Sequence, residues 1–237
     1  MHVVVTRPQP GATAAKWRGR GATVTVAPLL AVTARAWLPP ADPPGAVALT
    51  SANGARLAGD GARAYHHAPL FAVGAATAKA AIDAGWIDVR DVAATGGGTV
   101  AALYRAAAAA GVTSLLHLAG IDRIVAAVPP GLTVVIREVY AATLLDLPGH
   151  VATLLDGGRV DGVLLYSPRT AAHFAAQVDA VGIDRARVGI VALSPAIATA
   201  AGVGWRAVEV AGRPDDAALF AAATALCDKG RSRRSGA

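Results

Sequence analysis

The sequence has a single cysteine, Cys227, among 237 residues. One thiol excludes a disulfide framework and a cysteine-based zinc cluster. No stretch approaches the roughly 18 consecutive apolar residues that a membrane-spanning helix requires. The opening residues Met1-His2-Val3-Val4-Val5 lack the basic-then-apolar order of a secretory signal. Charged residues are scarce, 16% against 54% hydrophobic, which excludes a wholly disordered chain. Basic residues are neither interleaved with the few aromatics nor ranged along a helix, as a nucleic-acid module would need. The expectation is a cytoplasmic, monomeric α/β protein with no membrane and no nucleic-acid partner.

Catalytic signatures are missing too. No G-x-S-x-G elbow surrounds Ser51, Ser167 or Ser194, so a hydrolase triad is unsupported. No G-x-x-x-x-G-K-[ST] loop exists, and no nicotinamide fingerprint or metal-ligand spacing. Thr95-Gly96-Gly97-Gly98-Thr99 reads as a loop and helix N-cap, His66-His67 as a surface turn, and Cys227 as a filler.

The net charge of +6 points to an acidic partner until its location is considered. Four of the 22 basic residues, Lys229, Arg231, Arg233 and Arg234, lie in the final nine. That segment, 229–237, has little to bury and is expected to be disordered. The body that remains is nearly neutral.

What the chain has in abundance is alanine, 59 residues, in helical segments at Ala12–Arg20, Ala75–Ala84, Val100–Ala110 and Thr170–Val181. Glycines suited to helix ends follow: Gly21, Gly85, Gly111 and Gly182. Short β-branched runs alternate with these helices, among them Val3-Val4-Val5, Ala46-Val47-Ala48-Leu49 and Gly162-Val163-Leu164-Leu165. Their lack of strict alternation predicts parallel strands buried on both faces. The fold class is α/β with parallel sheets.

The chain also resembles itself. Residues 46–53 match 162–169 at an offset of 116, and 70–78 match 190–198 at an offset of 120. Gly85-Trp86 pairs with Gly204-Trp205, and residues 21–24 with 131–134. A repeat this long means two similar domains. The expected boundaries are 1–32 plus 142–228 for a discontinuous first domain and 36–137 for the second. Residues 33–35 and 138–141 would form a two-stranded hinge, with a ligand cleft between the domains.

In parallel sheets ligands sit beyond the carboxyl ends of the strands. The turns there, such as Thr6-Arg7-Pro8, Thr50-Ser51-Ala52-Asn53 and Gly120-Ile121-Asp122-Arg123, are rich in hydroxyls and arginines. With backbone N–H groups at helix starts they make an anion-binding surface, and arginines can grip carboxylates.

These landmarks together resemble the uroporphyrinogen-III synthase family: Val4-Val5-Thr6-Arg7-Pro8, Leu49-Thr50-Ser51-Ala52-Asn53-Gly54, Val73-Gly74-Ala75-Ala76-Thr77-Ala78, Gly120-Ile121-Asp122-Arg123, Val139-Tyr140, Tyr166-Ser167-Pro168 and Leu193-Ser194-Pro195-Ala196-Ile197-Ala198. The resemblance implies an enzyme without cofactor or metal. It would cyclise hydroxymethylbilane, a linear tetrapyrrole with eight carboxylates, with inversion of the last ring and loss of water. It implies substrate binding by Arg7, Ser51, Asn53, Gly74, Thr77, Arg123, Ser167, Ser194, Ala196 and Ile197. Ala196 and Ile197 stand where some relatives carry threonines, so only their backbone N–H groups could serve. Tyr140 matches the family's linker tyrosine, either as the acid that protonates the leaving oxygen or as a residue packing the hinge. A non-enzymatic sensor binding an anionic metabolite in such a hinge remains the alternative.

Overall fold

A computed structural model describes residues 1–235 apart from Gly96, and describes no side chain beyond residue 229. The chain opens with β1 (His2–Val5), α1 (Gly11–Gly19), β2 (Thr23–Val26), β3 (Leu30–Ala34) and β4 (Ala46–Leu49). There follow α2 (Ala52–Leu57), β5 (Leu70–Ala72), α3 (Ala75–Asp83), β6 (Val89–Asp91), α4 (Val100–Ala109) and β7 (Ser114–Gly120). Next come β8 (Thr133–Leu144), α5 (Gly149–Asp156), β9 (Gly162–Leu165), α6 (Pro168–Ala180) and β10 (Gly189–Ala192). The last elements are α7 (Pro195–Ala201), β11 (Ala207–Val210) and α8 (Asp216–Ser235).

The chain divides into two compact units, Met1–Ala31 with Leu144–Ala237, and Val32–Thr143. The sheet of the first runs β11-β10-β9-β1-β2, and that of the second β3-β8-β7-β4-β5-β6. All pairings in the first are parallel, as are those joining β8 through β6 in the second. The shared order explains the internal resemblance: β4, β5, β6, β7 and β8 occupy the places of β9, β10, β11, β1 and β2. The chain therefore repeats one five-strand sequence twice. Each compact unit takes part of its sheet from each copy.

Both sheets are covered on two faces, which is why their strands read as unbroken apolar runs. Side chains alternate across the pleat. Val4 and Leu165 meet Phe174 and Trp205 on one face of the first sheet, while Val3, Val5 and Leu164 meet Trp17 and Leu219 on the other. In the second, Val47, Leu49 and Leu116 pack with Trp86, and Ala46, Ala48 and Leu115 with Leu103 and Phe71. Helix ends follow the glycine signal. After α4, Gly111 takes φ 79° and Val112 N–H returns to the Ala107 carbonyl at 3.1 Å, closing the helix as a left-handed cap does.

Of the segments assigned to a two-stranded hinge, residues 33 and 34 end β3 and 138–141 lie inside the twelve-residue strand β8, whose residues 133–140 run beside β7. One place differs from the sequence reading. Helix α8 continues to Ser235, past residue 229 where a disordered tail was expected, and Lys229 pairs with Glu209 of β11. Gly236 and Ala237, the end of that segment, lie outside the described residues. No helix among the described residues is long and apolar enough to cross a membrane.

Candidate functional site

Within the Val32–Thr143 unit, the carboxyl ends of β4, β5 and β7 open onto a cavity of about 570 Å³. That is the size of a small-molecule site, for which about 300–1,000 Å³ is usual. Val73, Val100, Ile124 and Val125 give it apolar walls; Thr50, Thr99, Asp122, Arg123 and Tyr140 bring polar groups. Ile124 and Val125 are strongly exposed, 77% and 86%, so apolar surface stands ready at the cavity for a ligand to cover.

Tyr140 reaches the cavity through an irregularity. In the β7–β8 register Ala119 faces Glu138, but Gly120 faces Tyr140, so Val139 is an extra residue. Such a bulge re-aims the side chains that follow it. Tyr140 thereby lies against Gly120, where a Cβ would meet two ring carbons at 2.6 Å. Val139 is fully buried and anchors the strand.

Arg123 follows β7 and is held at the cavity by Glu138, whose Oε1 accepts from its Nη1 at 2.8 Å. Its Nε is buried without a hydrogen-bond partner among the described residues. Thr99 caps α4 by accepting from Ala102 N–H at 3.1 Å, as the sequence led us to expect, and also lines the cavity.

Behind Thr50 lies a polar chain in an apolar core. His117, fully buried in β7, has Nε2 3.1 Å from Thr50 Oγ1 and Nδ1 2.8 Å from the hydroxyl of buried Tyr104. Burial, reinforced by the positive charge of Arg123, lowers the His117 pKa to about 4. Burial raises that of Tyr104, with Arg123 opposing. The imidazole is therefore neutral at pH 7 and the phenol protonated.

The remaining sequence-derived residues fall into two groups. Beside the cavity, Ser51 caps α2 by accepting from Asn53 N–H at 3.2 Å, and half-buried Asn53 is the second residue of that helix. Gly74 precedes α3, and its carbonyl accepts from the N–H of buried Thr77 at 2.9 Å. These four do not line the cavity; their neighbours Thr50 and Val73 do. The others belong to the first unit, at the carboxyl ends of the adjacent strands β10, β9 and β1. Ser167 caps α6, accepting from Thr170 N–H at 3.2 Å. Ser194 opens α7, making no side-chain cap bond. Ile197 is buried and its N–H already donates to the Ser194 carbonyl at 3.1 Å, which leaves Ala196 as the backbone donor of that pair.

Arg7 donates from Nη1 to Thr13 Oγ1 at 2.9 Å, lies 5.1 Å above the Tyr166 ring and has Asp216 at 3.9 Å. Its guanidinium is thus oriented before any ligand arrives. The Tyr166 hydroxyl is buried with no hydrogen-bond partner among the described residues. Burial first and Asp216 second push its pKa up, with Arg7 opposing.

In the sequence Thr50 and Thr99 stand only as parts of turns, and Tyr104 and His117 belong to no motif. One signal was present: a histidine inside Leu115-Leu116-His117-Leu118, where a buried polar ring must find partners. Among the described residues no group of three or more acidic, histidine or cysteine side chains is placed to hold a metal ion.

The family model for uroporphyrinogen-III synthase HemD matches residues 11–221. No curated protein sequence matches the chain. Among solved structures, a uroporphyrinogen-III synthetase from Helicobacter pylori aligns over 95% of this chain and 99% of its own, at 14% identity and a TM-score of 0.63. A mutant uroporphyrinogen III synthase from the extreme thermophile Thermus thermophilus aligns over 97% and 99%, at 16% identity and a TM-score of 0.53. At such identities these two likenesses speak for the fold, and the family match speaks for the chain's kinship.

Proposed function

The chain belongs to the uroporphyrinogen-III synthase family of tetrapyrrole-forming lyases, and from that premise we propose that it closes hydroxymethylbilane to uroporphyrinogen III through the cavity at Tyr140. The observation that carries this is the bulge that lays Tyr140 over Gly120 and into the cavity. A phenol there has a chemical task. The hydroxyl on the terminal hydroxymethyl group leaves as water once it takes a proton, while the adjacent pyrrole nitrogen supplies the electron pair. Tyr140 donates that proton as a general acid.

Elimination alone does not set the product, because the activated bilane closes without help to the uninverted isomer. The protein's work is to fold the chain so that the substituted carbon of ring D reacts instead of its free neighbour. Apolar walls at Val73, Val100, Ile124 and Val125 suit the flat pyrroles. Thr50, Thr99 and Arg123 suit the carboxylates that each pyrrole carries, as charge-assisted hydrogen bonds do. Ser51, Asn53, Gly74 and Thr77 act beside them at the starts of α2 and α3. Within the first unit Arg7, Ser167, Ser194 and the Ala196 N–H offer carboxylate contacts of their own, with Arg7 the strongest because its guanidinium is already fixed; Ile197 drops out, its N–H being taken by Ser194. The reading is tested by supplying fresh hydroxymethylbilane to the pure protein and separating the isomers formed.

A further inference from the structure

Tyr104, His117 and Thr50 come from α4, β7 and the turn after β4, and form one continuous hydrogen-bonded chain from the core to the cavity. The direction of that chain follows from burial. Tyr104 is 3% exposed, and among the described residues His117 Nδ1 is its hydroxyl's one hydrogen-bond partner. If Nδ1 carried the ring proton, the phenol proton would be buried without an acceptor, an arrangement that folded proteins avoid. Tyr104 therefore donates to Nδ1. A neutral ring then has its single proton on Nε2, which donates to Thr50 Oγ1. A threonine hydroxyl that already accepts in this way has its own proton free for another acceptor.

We propose that Tyr104 and His117 are positioning residues that fix the Thr50 hydroxyl as a hydrogen-bond donor to a carboxylate oxygen of the substrate in the cavity. This rests on the cavity receiving part of the bilane. Neither Tyr104 nor His117 touches substrate; both act through Thr50. The arrangement narrows the hydroxyl's rotational choice before binding, so the substrate meets a hydroxyl committed to donating. Because the contact is to a carboxylate throughout the reaction, its loss is read in KM more than in kcat.

Two measurements test this. Steady-state kinetics on hydroxymethylbilane compare the wild type with Thr50→Val, Thr50→Ser, Tyr104→Phe and the Thr50→Val/Tyr104→Phe double variant. Thr50→Val is expected to raise KM roughly tenfold, the worth of a hydrogen bond to a charged group, with Thr50→Ser retaining most of the affinity. Tyr104→Phe raises KM by a smaller factor, and the double variant is no worse than Thr50→Val alone, since Tyr104 acts only through that hydroxyl. Multiplying KM effects, or a Tyr104→Phe enzyme that merely melts earlier with KM unchanged, would overturn the proposal. Nitrogen NMR of the folded wild type reads the His117 tautomer without any turnover. Protonated Nε2 with bare Nδ1 is expected, and the opposite tautomer overturns the assignment. A wild type that yields no type III isomer would sink the functional reading and with it the substrate role of Thr50, whereas a correct isomer with the wrong tautomer sinks only the relay.

Discussion

Tyr140 fills the space that a side chain at residue 120 would need: a Cβ there would fall 2.6 Å from two carbons of its ring. Gly120→Ala must therefore move the phenol. A displacement near 1 Å at a reacting group costs roughly a hundredfold in rate, and that loss in kcat is the expected result. Circular dichroism and melting of the same variant check that the fold persists. An active Gly120→Ala enzyme would mean that Tyr140 is not held for catalysis by this contact.

Removing the proton alone is the sharper change. Tyr140→Phe keeps the ring over Gly120 and is expected to lower kcat roughly a hundredfold or more, the usual worth of a positioned acid. Stability should hardly alter, because the ring is kept and Tyr140 is only half-buried. Equal kcat for the two proteins would reassign Tyr140 to packing.

Arg7 is oriented by Thr13 and the Tyr166 ring, so truncation to alanine should raise KM without disturbing the sheet. Arg7→Lys should recover only part of the loss, since an ammonium lacks the planar fork that grips a carboxylate in two places. An unaltered KM in Arg7→Ala removes this residue from substrate binding.

His117 makes stability depend on pH. Its folded pKa of about 4 lies below the ordinary 6.5, so on acidification the unfolded chain takes up a proton before the native one does. Stability from this group is full above about pH 6.5 and falls as the pH drops toward 4, by up to about 3 kcal/mol. His66, lowered by burial and then by Arg63 and His67, adds in the same direction. The check is chemical denaturation of the wild type and His117→Gln across that range: the variant should show the flatter curve, and identical slopes would contradict the assignment.

Much of the fold is legible in the sequence because burial writes it there. Val3-Val4-Val5 and Ala46-Val47-Ala48-Leu49 are covered on both faces and read directly as central parallel strands. Two of the edge strands are not legible. Val89-Arg90-Asp91 is half exposed, and Ala207-Val208-Glu209-Val210 alternates with only one side covered, so neither gives a continuous apolar signal. The repeat at offsets of 116 and 120 anticipates two similar sheets.

At the candidate site the sequence indicates the turns but not their geometry. Tyr140 owes its aim to one extra residue in a twelve-residue strand, a register effect that no local pattern carries. Thr50 and His117 are 67 residues apart in the chain and meet only because β4 and β7 are neighbours. Arg123 reads as a carboxylate clamp in isolation, yet finds Glu138 through the pairing of β7 with β8.

The central claim is that this protein makes the inverted isomer, and the type III to type I ratio measures it most directly. Hydroxymethylbilane, freshly generated, is incubated with the pure protein, and the oxidised porphyrins are separated. The account predicts predominantly type III, formed faster than the spontaneous closure. Type I alone, appearing at the rate seen without protein, would contradict it.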